Sequence, residues 1–323
     1  MFIVNHPGPW QYYVNRPDNK GLNIMEIKSK YLKEQLLFEQ YMSFQMQQQM
    51  LLSQNASGGG EVEPVPTPEP PTPVSTDFII RIDTTLGNGL DSYIVPTRGE
   101  LTYNYDVAWE EVGNSSNSGV VTNQTGNATI NFPSSGQYDL SISGLFPAIY
   151  VNNSGDDLKL IDIVNWGDNE WQSMGRAFWG CANLSLYSAT DSPDLSSVTD
   201  MSYMFQGATQ FNGDISGWDV SNVTRMDSMF SNAQAFNQDI SGWNVSGVTN
   251  MGFMFYNTNS FNQDISGWNV SNVTNMFAMF NNATSFNQDL SGWCVSLIPS
   301  EPTNFDTGAV AWFLPKPVWG TCP

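Results

Sequence analysis

Carboxylates at a fixed interval are the first candidates for chemistry in this chain. Asp214, Asp239, Asp264 and Asp289 recur every 25 residues. Carboxylates stacked one above another repel. Each must therefore be held by backbone N–H groups, left in water, or bridged by a cation such as calcium. Each is followed two residues later by Ser and then Gly, a pattern suited to a side chain that caps its own tight turn. Turn capping is the expected role, with metal ligation as the alternative. Glycoside hydrolysis needs a distinct acid and base, and no unit holds a distinctive Glu–Asp pair. The single histidine, His6, lies in the N-terminal tail, which leaves no Ser-His-Asp or Cys-His set for the rest of the chain. Three cysteines, Cys181, Cys294 and Cys322, are too few for a dense disulfide framework, although one pair could form in an oxidising medium. The expectation is a non-enzymatic protein with no cofactor.

The element that must position these groups is a repeat. From Val198 to Leu297 the chain is four gapless copies of a 25-residue unit, with 13 positions identical in all four. Tryptophans mark the beat at Trp218, Trp243, Trp268 and Trp293. Such a period means stacked units, because one unit cannot bury its own apolar face. Met226, Met229, Phe230 and Ala233 follow i, i+3, i+4, i+7, which predicts a two-turn helix. Trp243 and Val245 alternate, which predicts a short strand pairing in parallel with its neighbours. Asn212, Asn237, Asn262 and Asn287 are expected to form a ladder of amides bonding backbone at each bend. The positions that vary between units face solvent in this scheme and supply the candidate binding face: Tyr203, Arg225, Phe253, Tyr256 and Phe277.

Composition narrows the partners. The formal charge is −20, and residues 61–323 alone carry six basic against 27 acidic residues. Such a surface repels phosphate backbones, which argues against nucleic acid. Residues 1–21 read as an irregular docking arm and residues 22–54 as an amphipathic helix with a wide apolar face. Ile24, Ile27, Tyr31, Leu32, Leu36, Phe38 and Met42 are the candidate docking residues on that face. Its Gln-rich end argues against membrane insertion, and a homo-oligomer or a host assembly would cover it. Residues 55–76 are a Gly- and Pro-rich spacer. Residues 77–153 alternate apolar and polar residues in short runs, as at Phe78–Ile82, Tyr103–Trp109 and Tyr138–Ile142. This predicts an immunoglobulin-like β-sandwich. Residues 154–197 are a junction carrying a degenerate first unit, in which Ala177-Phe178 matches Met204-Phe205 at an offset of 27. Cys181 falls where later units have Ala, and is read as a core thiol.

The segments Tyr103–Trp109, Thr125–Gly144 and Phe146–Asp156 resemble the PKD-like sandwich module that precedes BspA-type repeats. The string FNQDISGWNVSNVTNM, with its following Met-Phe pair, resembles the BspA-type leucine-rich-repeat surface proteins of mycoplasmas and flavobacteria. The resemblance, which covers about residues 78–323, implies a PKD/immunoglobulin-like sandwich, then a right-handed leucine-rich-repeat-like solenoid with parallel strands; with the amphipathic helix read at residues 22–54, the expectation is a mainly β protein with short helices. It also implies surface display and adhesion. The end of the chain, residues 298–323, resembles that family's cap, and a Cys294–Cys322 bridge would staple it over the last coil.

The first residues show no basic n-region and no apolar h-region. The order of helix, spacer and display domain resembles that of tailed-phage virion proteins. The expectation is a virion surface protein, head fibre or tail-associated. Residues 1–54 would dock on other virion or assembly proteins, and the repeat would meet a host surface protein or glycan. The alternative is a BspA-like adhesin on a cell surface.

Overall fold

The computed structural model describes residues 75–323. The expected arm, the amphipathic helix with its seven docking residues, and most of the spacer lie outside the described residues. The protein is mainly β. Among the described residues the one helical element is a single 3-10 turn, Asp157–Lys159.

Eight strands precede the repeat: β1 (Phe78–Asp83), β2 (Ser92–Val95), β3 (Asn104–Glu111), β4 (Asn114–Gln124), β5 (Ala128–Asn131), β6 (Gln137–Leu145), β7 (Leu160–Asn165) and β8 (Leu186–Tyr187). Six of them form a sheet in the order β4-β3-β6-β1-β7-β8, and β2 pairs with β5 in a second sheet. Alternation decides which face is covered. Phe78, Ile80 and Ile82 on β1 and Tyr138, Leu140 and Ile142 on β6 are fully buried, while their neighbours reach water. Tyr93 and Val95 from β2 and Ile130 from β5 close the same core from the other side.

The residues read as a junction complete the large sheet. β7 pairs antiparallel with β1, and β8 pairs parallel with β7. Its sequence Leu-Ile-Asp-Ile-Val-Asn does not alternate, because apolar groups cover it on both faces. Asp162 in its centre is buried and accepts bonds from the N–H and hydroxyl of Ser188. The sheet therefore ends inside the first turn of the repeat, and a single hydrophobic core runs from Phe78 to Trp312.

The repeat departs from the expected helix and strand. In the second unit the N–H groups of Met226, Ser228, Phe230 and Asn232 donate to the carbonyls of Asn250, Gly252, Met254 and Tyr256 in the next coil, at 2.7–3.1 Å. The N–H groups between them turn back within the coil, Met229 to Met226, Ser231 to Ser228 and Ala233 to Phe230. An α-helix would send all of them four residues back along its own axis. Here every second one leaves the coil, so the segment is a train of tight turns. Left-handed residues recur at two positions per coil, Ser228 (φ 57°) and Asn232 (φ 61°) in this unit. The spacing of Met226, Met229, Phe230 and Ala233 still points inward, and all four are fully buried. Tight turns and a helix share the i, i+3 recurrence, so the side-chain pattern alone does not separate them. Nor is there a strand at Trp243–Val245. The parallel bridges join Asp200, Arg225, Asn250 and Asn275 instead. Three of the four tryptophans donate their indole N–H to an isoleucine carbonyl of the preceding coil, Trp243 to Ile215, Trp268 to Ile240 and Trp293 to Ile265, and Trp218 donates to the Tyr187 hydroxyl.

Inside, Phe205, Phe230, Phe255 and Phe280 stack with centroids 5.5–5.9 Å apart. Phe211, Phe236, Phe261 and Phe286 form a second column at 5.9–6.1 Å. Both ends of the stack are covered. The N–H groups of Asn152 and Asn153, after β6, donate to Arg176 and Trp179 of the degenerate coil. At the far end Ala278, Phe280 and Asn282 donate to Thr303, Phe305 and Thr307. The Cys294–Cys322 disulfide ties that last segment down.

The bridge spans a sequence separation of 28, a closure that stabilises by about 3–4 kcal/mol on chain-entropy grounds. Reducing it, or Cys322→Ser, is expected to lower Tm by roughly 10 °C. Hydrogen exchange should accelerate first in residues 273–323, and an unchanged Tm would mean the cap is held without it. Acid provides a second measurement. The Asp214 carboxyl is held below its ordinary value first by the Ser216 N–H and then by its hydroxyl. The Asp239, Asp264 and Asp289 carboxyls are lowered first by the hydroxyls of Ser241, Ser266 and Ser291 and then by their N–H groups. Groups with depressed folded values stabilise fully above the unfolded value near 3.8 and lose that contribution as pH falls through the folded value. Replacing all four by Asn, which still accepts from the N–H, is expected to flatten the fall of Tm between about pH 5 and pH 2.5. An unchanged acid limb would assign acid sensitivity to other carboxylates.

Candidate binding face

The four periodic aspartates sit on exposed bends. Asp214, Asp239, Asp264 and Asp289 each accept the N–H of the serine two residues on, at 2.9–3.0 Å. Each thus caps its own turn. Among the described residues no three His, Cys, Asp or Glu side chains are gathered as a metal would require. The asparagine ladder runs beside them. Asn237, Asn262 and Asn287 donate their backbone N–H to the side-chain oxygens of Asn212, Asn237 and Asn262 at 2.8–2.9 Å. The last rung, Asn287, accepts from Phe313 and Leu314 of the cap. Cys181 is fully buried, and burial pushes its thiol well above the ordinary value, away from thiolate chemistry.

The five variable-position candidates fall into two groups. Phe253, Tyr256 and Phe277 form one: the Phe253 ring lies 5.8 Å from Tyr256 and 5.0 Å from Phe277. Phe253 and Phe277 are 38% and 37% exposed, unusual for rings in a stack whose other phenylalanines are covered. Phe253 occupies a left-handed position (φ 58°). The same position carries Tyr203, Ser228 and Ala278 in the other units, all with positive φ.

Tyr203 and Arg225 form the other group. They line a cavity of about 200 Å³ against residues that sequence reasoning missed: Arg98 and Tyr150, from loops flanking the strands, and Arg176 from the degenerate coil. One signal was available. Arg176 precedes Ala177-Phe178 as Tyr203 precedes Met204-Phe205, so it occupies the same left-handed position (φ 62°) one coil earlier. Arg98 and Tyr150 carried none, because only the tertiary fold brings those loops beside the coils. Arg225 is half exposed and pairs with Asp227 at 3.1 Å.

Among the described residues no helix is long and apolar enough to cross a membrane. Residues 162–293 match a family described as "Mycoplasma protein of unknown function, DUF285". That stretch starts in β7 and ends at Trp293, so it takes in the degenerate coil and almost all of the four units. No curated protein and no solved structure matches the chain.

Proposed function

We propose that this chain is a non-enzymatic surface protein of a cell that adheres to its target through the outer face of a leucine-rich-repeat-like solenoid. In this reading the two sheets are an immunoglobulin- or PKD-like sandwich that starts the solenoid. The carrying observation is the aromatic trio Phe253, Tyr256 and Phe277, two exposed rings and one half-buried, on a stack whose invariant residues are spent on holding coil to coil. Clustered exposed rings on a rigid support are the usual anchors of recognition surfaces. The match to a family of mycoplasma proteins favours the cellular setting over the virion expected from layout. The virion reading rested on residues 1–54, which lie outside the described residues.

The test uses residues other coils already tolerate. Phe253→Ala imports Ala278 and Tyr256→Asn imports Asn281 from the fourth unit, so the double variant is expected to keep its Tm within about 3 °C, as surface changes do. Adhesion of cells or beads carrying the full chain should fall by about tenfold or more, the loss of one hot-spot contact. Antibody labelling of intact cells should reach the repeat. Unchanged adhesion by the folded variant would remove the trio from the binding face, and labelling only after lysis would remove the surface location.

A further inference from the structure

Residues 61–323 hold six basic side chains, and three of them, Arg98, Arg176 and Arg225, line one cavity of about 200 Å³. Five of the six have an acidic partner within 4 Å. Arg81 pairs with Asp139, Arg98 with Glu100, Lys159 with Asp156, Arg225 with Asp227 and Lys316 with Asp306. Among the described residues Arg176 pairs with no carboxylate. Its guanidinium instead donates to the Tyr150 hydroxyl at 3.0 Å and to the Asn152 side-chain oxygen at 3.2 Å. The rings of Trp179 and Tyr203 flank it at 5.4 and 5.3 Å. In so acidic a chain, a half-buried cation held by neutral groups is an unmet charge.

The coil does not require it. Ser228 and Ala278 fill the equivalent position with less bulk, whereas an arginine at φ 62° is strained. Arg98 approaches from the sheet side, fixed by Ser173 at 2.7 Å and lying over Tyr150. Its acidic partner Glu100 is 77% exposed, so water screens that pair.

We propose that this cavity binds one carboxylate-bearing sugar residue, such as a terminal acidic sugar of a surface glycan. The guanidinium forks of Arg176 and Arg98 match a carboxylate, and their partial burial strengthens the pairing. The Tyr150 and Tyr203 rings offer faces to the C–H side of a sugar ring. Asp200 and Glu100, also in the lining, accept from its hydroxyls and repel a second negative charge. The volume is below the roughly 300–1,000 Å³ that hold drug-sized ligands, so it suits one sugar ring. An acidic peptide or a polyanion meets those two carboxylates and the acidic surface around them. The biological setting rests on the surface-display reading, but the chemistry of the cavity does not.

Calorimetric titration of the full chain with N-acetylneuraminic acid and with glucuronic acid tests this, against glucose, N-acetylglucosamine and a short Asp/Glu peptide. Binding of at least one acidic sugar is expected, weakening as salt rises. The neutral sugars and the peptide should bind at least about tenfold more weakly, the worth of one charged hydrogen bond. Arg176→Gly keeps a residue at ease at positive φ and should lower affinity by a similar factor. Arg98→Gln, further from the stack interior, should do so without loss of Tm, and Phe313→Ala, which trims an exposed ring of the C-terminal segment, should leave affinity unchanged. Failure of both acidic sugars to bind, equal binding of the neutral sugars or the peptide, or full affinity in folded Arg98→Gln and Arg176→Gly would overturn the proposal. Adhesion that persists while acidic sugars fail to bind would overturn the cavity and leave surface adhesion standing.

Discussion

The direction in which backbone N–H groups point governs this structure. In the segment Met226–Asn232 and its copies, every second N–H leaves its coil for the next and the others close turns at home. That alternation needs a reversal of backbone direction twice per coil, which the left-handed residues supply. A buried polar group without a partner is costly, so one coil's outward donors make a neighbouring coil obligatory. The phenylalanine columns and the indole bonds act within the register this ladder sets. The sheet region and the C-terminal segment supply what the end coils lack: Asn152 and Asn153 on one side, Thr303, Phe305 and Thr307 on the other.

Much of the scaffold was legible in the residues. Phe78–Ile82 and Tyr138–Ile142 alternate because one face of their sheet is covered. The tryptophan beat gave the unit length, and the asparagines gave their own ladder. The backbone of the unit is not legible in its apolar spacing, because tight turns and an α-helix both bring residues three apart to one side. The telling residues were Gly207, Asn232, Asn257 and Asn282, which share one position and suit positive φ. β7 was missed as a strand because its continuous apolar run lacks the alternation of a half-covered one. The aromatic trio could be placed on the outer face by its variability alone. The arginine cavity could not, since Arg98 and Arg176 are 78 residues apart in a chain read as separate modules.

Charge is arranged as economically as backbone bonding. Lys159 is fully buried, yet it donates to the Leu90 and Ser92 carbonyls and pairs with Asp156 at 2.9 Å. Removing either partner of such a pair leaves the other stranded, whereas the intact pair adds little by itself. It fixes the loop before β2 and commits one of the few cations to architecture. Against that economy, half of the six cations of residues 61–323 are gathered around a single hollow beside the first coils.

The ladder also fixes how the two surface features can be spaced. Each coil satisfies the next through the same atoms, so a whole unit inserted between the second and third coils would find every donor and acceptor waiting. It would move the aromatic trio away from the arginine cavity by one coil's rise, about 4.8 Å on the strand spacing, and disturb neither. A fragment of a unit would leave donors facing the wrong partners. The separation of the two sites is therefore set in discrete steps, and the chain can be lengthened like a ruler rather than stretched like a linker.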